Sequence, residues 1–105
     1  MNIFRDASIL LVDDESYLID SMYKFLKNKG YQKILTAKNI AEARFKLNNN
    51  KVDLMILDIM LTDGSGFDLL KDLRKKSSLP VIILSALSGI DDKKEGFDLE
   101  VDDYI

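Results

Sequence analysis

Val52-Asp53-Leu54-Met55-Ile56-Leu57-Asp58 is the most apolar run of the chain, and it ends on a carboxylate. Leu54 to Leu57 are apolar without interruption, the pattern of a strand covered on both faces rather than one lying on a surface. The turn-like segment Thr62-Asp63-Gly64-Ser65-Gly66 follows closely. Asp58 is therefore expected at the tip of a buried strand, half out of the core. Far upstream, Ile9-Leu10-Leu11-Val12 ends in the same way on Asp13 and Asp14. If the two strands lie side by side and parallel, three carboxylates meet at one rim of a sheet. Three close anions repel one another unless a divalent cation joins them.

Outward from these two runs, short apolar segments alternate with amphipathic ones. The spacing predicts strands over 9–12, 34–37, 52–57 and 81–84, the last introduced by Pro80. Helices are predicted over 15–28, 40–49 and 65–76, with a weaker one over 89–99. Leu18, Met22, Phe25 and Leu26 form the expected inner face of the first helix, and Gly30 is placed to end it. Asn39 is the expected N-cap of the second helix, whose stripe is Ile40, Ala43 and Leu47. Leu69, Leu70 and Leu73 are expected to face inward from the third. Continuous apolar strands alternating with helices describe an α/β fold, a parallel sheet with helices on both faces. Ligands of such sheets sit beyond the carboxyl ends of the strands, where the strand order reverses. Asp13, Asp14, Asp58 and Ser85 all stand at such ends.

At 105 residues the chain is one domain, long enough for a real core. Its apolar and charged fractions, 47% and 31%, are those of a globular protein and exclude a disordered segment. A net charge of −3 argues against nucleic-acid binding by this domain alone. The absence of cysteine excludes disulfides and thiolate metal sites, and the absence of histidine excludes imidazole catalysis and His-ligated zinc. No signal peptide or membrane span is visible, so a soluble, cytoplasmic protein with no membrane contact is expected.

Each site residue has a plainer reading when taken alone. Asp13-Asp14 could simply start a helix, where the helix dipole favours acids. Asp58 could cap the next loop, Asp63 before Gly64 reads as a turn residue, and Ser85 as a cap. Tyr104 could be a half-buried aromatic at a strand end. Their combination is what stands out.

Val12-Asp13-Asp14-Glu15, then Leu57-Asp58-Ile59-Met60-Leu61 with Asp63-Gly64 and Gly66, then Leu84-Ser85-Ala86, then Asp102-Asp103-Tyr104-Ile105, resembles the receiver domain of two-component response regulators. The resemblance covers essentially the whole chain. Its ending is most similar to the subfamily in which a winged-helix DNA-binding domain follows. The resemblance implies a flavodoxin-like doubly wound sheet of five parallel strands in the order 2-1-3-4-5, an order for which a receiver is itself a standard example. It implies that Asp58 accepts a phosphoryl group from a sensor histidine kinase, with Mg²⁺ held by Asp14, Asp58 and the Met60 backbone carbonyl, and with Asp13 reached through water. Ser85 would hydrogen-bond the phosphoryl group. Tyr104 would turn inward as the switch, and Lys93, Asp102 and Asp103 would pair charges across a phosphorylation-induced homodimer. The domain would regulate rather than catalyse, and DNA would be contacted through a C-terminal domain.

Departures from the family pattern are few. A lysine that the family carries two positions beyond the one matching Ile105, and the helix after it, would lie past the last residue. Residues 1–105 are thus expected to be a receiver truncated before its last helix, with weakened phosphorylation and a partly uncovered, association-prone sheet face. Thr62 replaces a usual proline, which would loosen the loop, and Glu100-Val101 replaces a small Gly-Ala pair. Three other functions compete. A Mg²⁺-dependent phosphohydrolase with an aspartyl nucleophile needs a second aspartate where Met60 stands, and a flavodoxin-type carrier needs a Ser/Thr-rich loop where Asp13-Asp14-Glu15 stands. A receiver fold used only for phosphorylation-independent docking is the third: the intact acidic set speaks against it, and the missing lysine speaks for it.

Overall fold

The computed structural model describes residues 6–84 together with a short strand at 103–104. Ser85, Lys93, Asp102 and the helix expected over 89–99 lie outside the described residues, as do the side chains of Asp103 and Tyr104. In chain order the elements are β1 (Ser8–Val12), α1 (Ser16–Asn28), β2 (Lys33–Ala37), α2 (Ile40–Asn49), β3 (Leu54–Asp58), β4 (Met60–Leu61), β5 (Gly64–Ser65), α3 (Gly66–Arg74), β6 (Val81–Leu84) and β7 (Asp103–Tyr104).

Five strands form one sheet in the order β2-β1-β3-β6-β7, every pair parallel. Counting only these strands, this is the expected order 2-1-3-4-5. The chain steps from β1 to β2 in one direction across the sheet and from β2 to β3 in the other. Right-handed crossovers therefore put α1 on one face and α2 and α3 on the opposite one. The core divides accordingly. Leu10, Val12, Met55 and Leu57 pack with Ile40, Ala43, Leu69, Leu70 and Leu73 beneath α2 and α3. Ile9, Leu11 and Ile56 pack with Met22 and Leu26 of α1. Leu10, Leu57 and Leu70 are fully enclosed, each contributing about 1.5–3 kcal/mol of burial.

Local chemistry fixes the helix ends. Asn39 accepts the Glu42 N–H at 2.8 Å, as its N-cap position implied. Gly30, with φ 100°, closes α1: its N–H reaches the Lys27 carbonyl, and the Tyr31 N–H reaches that of Leu26. This is the Schellman pattern, which needs a residue that tolerates positive φ. Asn49 and Asn50 donate side-chain N–H groups to the Phe45 and Lys46 carbonyls, tying off the last turn of α2. At the start of β3, Asp53 and Ser8 exchange two 2.8 Å hydrogen bonds and pin the lower ends of β1 and β3 together.

One expectation about α1 is corrected. Its buried residue is Ile19, supported by half-buried Met22 and Leu26, whereas Leu18 and Phe25 are 41% and 60% exposed. The helix carries more apolar residues than the sheet can cover, and spacing of three and four selects 19, 22 and 26 as the contact line.

Candidate functional site

The acidic site is made by strand register. Val12 pairs with Leu57 in the parallel β1–β3 ladder, so the next residues, Asp13 and Asp58, leave the sheet side by side. One carboxylate oxygen from each of Asp13, Asp14 and Asp58 lies within 4.8 Å of the other two. This is the juxtaposition that the two apolar runs required. Asp13 is 4% exposed and is held from both sides. Its N–H donates to the Ala37 carbonyl at 3.0 Å, and its Oδ1 accepts the Glu15 N–H at 2.9 Å. Asp14 is more open to solvent and Asp58 is half-buried.

These neighbours change the acidity of Asp58. Burial pushes its carboxyl up from the usual carboxylate range to about 6, and the charge of Asp13 pushes in the same direction, with Asp14 adding to it. The N–H groups of Met60, 3.3 Å from Oδ1, and of Ile59 pull it down without offsetting the rise. A group of ionised carboxylates under such repulsion is relieved by a cation, which favours the charged forms. The set is all oxygen, with no nitrogen or sulfur donor, and so suits a hard divalent ion such as Mg²⁺. Asp13, Asp14 and Asp58 therefore fit the metal that the sequence implied.

The loop after Asp58 is ordered by its own contacts. β4 and β5 form a two-stranded antiparallel hairpin pairing Met60 with Ser65 and Leu61 with Gly64. The Gly66 N–H donates to the Ile59 carbonyl at 2.6 Å. Ser65 caps α3 by accepting the Phe67 N–H. Asp63, which the sequence offered only as a turn residue, accepts N–H groups from Ile40 and Ala41 at 2.8 and 3.1 Å. Met60 stands two residues beyond Asp58 with its side chain exposed. The remaining candidates, Ser85, Tyr104, Lys93, Asp102 and Asp103, fall on positions whose side chains lie outside the described residues. Ser85 follows Leu84, the β6 residue paired with Asp58, and Tyr104 pairs through its backbone with Ile83. A separate groove between α2 and α3, bordered by Arg44, Leu47, Val52 and Leu79, opens at the opposite end of the strands.

Similarity to known proteins agrees with this geometry. The sequence pattern of the response regulator receiver domain matches residues 9–105. The transcriptional regulatory protein YvrH of Bacillus subtilis is 42% identical over 101 residues, covering 96% of this chain and 43% of that protein. The transcriptional regulatory protein CiaR of Streptococcus pneumoniae is 37% identical, covering 92% of this chain and again 43% of the relative. The chain thus spans less than half the length of these relatives. Among solved structures, a two-component response regulator from Clostridium difficile superposes with a TM-score of 0.90 at 30% identity, covering 95% of this chain and 82% of that one. A response regulator receiver protein from Pseudomonas putida gives 0.90 at 27% identity, covering 95% and 84%.

Proposed function

The chain belongs to the response regulator receiver domain family, and from that membership we propose that Asp58 is its phosphoacceptor. The observation that carries the reading is the meeting of Asp13, Asp14 and Asp58 within 4.8 Å at the carboxyl ends of two adjacent strands. Receiver domains take phosphoryl groups from histidine kinases, and their role is regulatory.

An ionised oxygen of Asp58 attacks the phosphorus of a kinase phosphohistidine in line. The new O–P bond forms as the P–N bond breaks, and the imidazole nitrogen keeps the electron pair of that bond, leaving an acyl phosphate on Asp58. Asp13, held by Ala37 and Glu15, gives the site a fixed anionic wall, and Asp14 and Asp58 contribute the more accessible oxygens. Mg²⁺, held by Asp14, Asp58 and the Met60 carbonyl with Asp13 behind them, would supply neutralising charge for the phosphoryl oxygens. The Met60 and Ile59 N–H groups orient the acceptor carboxylate. Ser85, one residue past the strand position paired with Asp58, would donate its hydroxyl to the phosphoryl group. Tyr104 would change position in response, so that a covalent charge change biases a two-state surface.

The relatives named as transcriptional regulators support an output in transcription control; in the subfamily that the chain's ending resembles, a winged-helix DNA-binding domain would follow the receiver and a homodimer would pair through Lys93, Asp102 and Asp103. Residues 1–105 would then be the receiver portion of such a regulator. Among the described residues no helix is long and apolar enough to cross a membrane; a cytoplasmic site of action is what membership of the receiver family supports. Mass spectrometry after incubation with a small phosphodonor and Mg²⁺ tests the acceptor. Wild type gains one phosphoryl group and Asp58→Asn gains none; equal labelling of the two would refute the assignment.

A further inference from the structure

Asp63 is joined to a helix that begins far from it in sequence. α2 starts with three N–H groups that have no carbonyl within the helix to meet, those of Ile40, Ala41 and Glu42. Asn39 takes the third, at 2.8 Å. The first two go to the two oxygens of Asp63, Oδ1 accepting from Ile40 at 2.8 Å and Oδ2 from Ala41 at 3.1 Å. The cap of α2 is therefore shared between its own N-cap residue and the tip of the hairpin that follows Asp58. The same short segment is also tied to the other acids, because the Ala37 carbonyl at the end of β2 accepts the Asp13 N–H at 3.0 Å. Residues 37–41 thus form a brace, with the acid loop fastened at one end and the acceptor loop at the other. Ile40 itself is buried in the core beneath the sheet, so the brace has a fixed footing.

We propose that Asp63 is a positioning residue of the acceptor site, holding the loop from Asp58 to Gly66 against α2 so that Asp58 and the Met60 carbonyl keep their spacing to Asp13 and Asp14. The inference rests on the reading of Asp13, Asp14 and Asp58 as a Mg²⁺ site. Without the two hydrogen bonds, the turn between β4 and β5 loses its tie to α2 while Leu61 and Gly66 still hold its base, and the donors of α2 turn to water. The acids of the other loop keep their own supports, so the loss falls on the relation between the two loops. Helix capping alone is a different matter, and Asn39 separates the two: its side chain caps the same helix through the Glu42 N–H, whereas the bonds that tie the acceptor loop to α2 are those of Asp63.

The test is a Mg²⁺ titration of the full-length protein, followed by amide NMR shifts in wild type, Asp63→Ala, Asp63→Asn and Asn39→Ala. Asp63→Ala is expected to weaken Mg²⁺ binding about tenfold, the low end of what residues supporting metal ligands from behind contribute. Asp63→Asn, which keeps one acceptor oxygen and perturbs folding less, recovers part of that loss. Asn39→Ala lowers the midpoint of thermal unfolding but leaves the Mg²⁺ affinity at the wild-type value. Equal affinities in Asp63→Ala and wild type, or equal losses in Asp63→Ala and Asn39→Ala, would overturn the positioning role. A wild-type protein whose acid-loop amides do not respond to Mg²⁺ would instead overturn the metal-site reading itself, and the positioning role with it, before any variant is compared.

Discussion

Gly66 lies against the backbone of Asp58 so closely that a Cβ at position 66 would stand 2.4 Å from the Asp58 carbonyl oxygen and 3.0 Å from the Ile59 Cα. Neither neighbour can swing aside, because both are backbone at the tip of a central strand. Gly66→Ala must therefore push the acceptor loop away from the sheet. Overpacking of this kind costs about 1–3 kcal/mol, which urea unfolding would read as a lower midpoint. The same variant should take up less phosphoryl label at Asp58 than its lost stability alone explains, since the displaced atoms belong to the acceptor itself.

Asp58 gives the metal-free protein a pH signature. Its folded-state value, about 6, lies above the value near 4 expected in an unfolded chain. The folded state thus holds the proton more tightly. The contribution of this group to stability is fully present below about pH 4 and is lost as pH rises through about 6. Asp58→Asn removes that loss. It should raise the midpoint of thermal unfolding at neutral pH, by about 4–8 °C for each kcal/mol recovered, and the gain should fade toward pH 4. A variant no more stable than wild type at pH 7 would show that the repulsion among the acids is already relieved.

Asp13→Asn separates two roles of one residue. Its Oδ1 would still accept the Glu15 N–H, so the turn survives. Its charge, after burial the second cause of the raised Asp58 pKa, is gone. In metal-free protein the Asp58 midpoint, followed by carboxyl ¹³C NMR, should move down from about 6. Mg²⁺ binding should weaken at the same time. A shift of the midpoint upward would contradict the electrostatic account.

Without metal, phosphoryl labelling of Asp58 should fall as pH drops through about 6, because only the ionised carboxylate attacks. Added Mg²⁺ favours that ionised form and should carry the fall to lower pH. A labelling profile indifferent to Mg²⁺ between pH 5 and 7 would speak against a cation among these acids.

The Arg44–Asp72 pair is a contrasting case. It is short, 2.6 Å, and joins α2 to α3, yet both side chains are nearly half exposed. Arg44→Gln should cost less than about 1 kcal/mol, and less still at high salt. A larger, salt-independent loss would mean that the groove between the helices depends on it.

Much of this arrangement could be read from the chain before any fold was known. Asp58 was placed by four consecutive apolar residues, because a strand without a polar face has to be interior and its last residue has to surface. Val12 and Asp13 repeated the pattern, and Asn39 announced the start of α2. The inner line of α1 was harder, since Leu18, Ile19, Met22, Phe25 and Leu26 offer more apolar surface than one sheet face accepts, and only packing chooses among them. Asp63 does lie in the turn that the sequence marks, but its tie to α2 is hidden for a different reason. Its partner, the Ile40 N–H, is 23 residues away, and a backbone donor leaves no mark in a sequence. The side-chain ties of Asn49 and Asn50 are equally hidden, because their acceptors are carbonyls of the helix they finish.

The pairing of Val12 with Leu57 also governs how this domain can vary in length. Residues rise about 3.3 Å along a parallel strand and alternate faces, so one residue added within Ile9–Val12 or Leu54–Leu57 would move one acid a full step along its strand and turn its neighbours inside out. The acids could then no longer meet. At the far end of the sheet, Asn50 and Lys51 join α2 to β3 in an exposed stretch with no such constraint. Insertions and deletions in descendants of this sequence are therefore expected in such exposed stretches and not within the two strands that carry the acids to their meeting point.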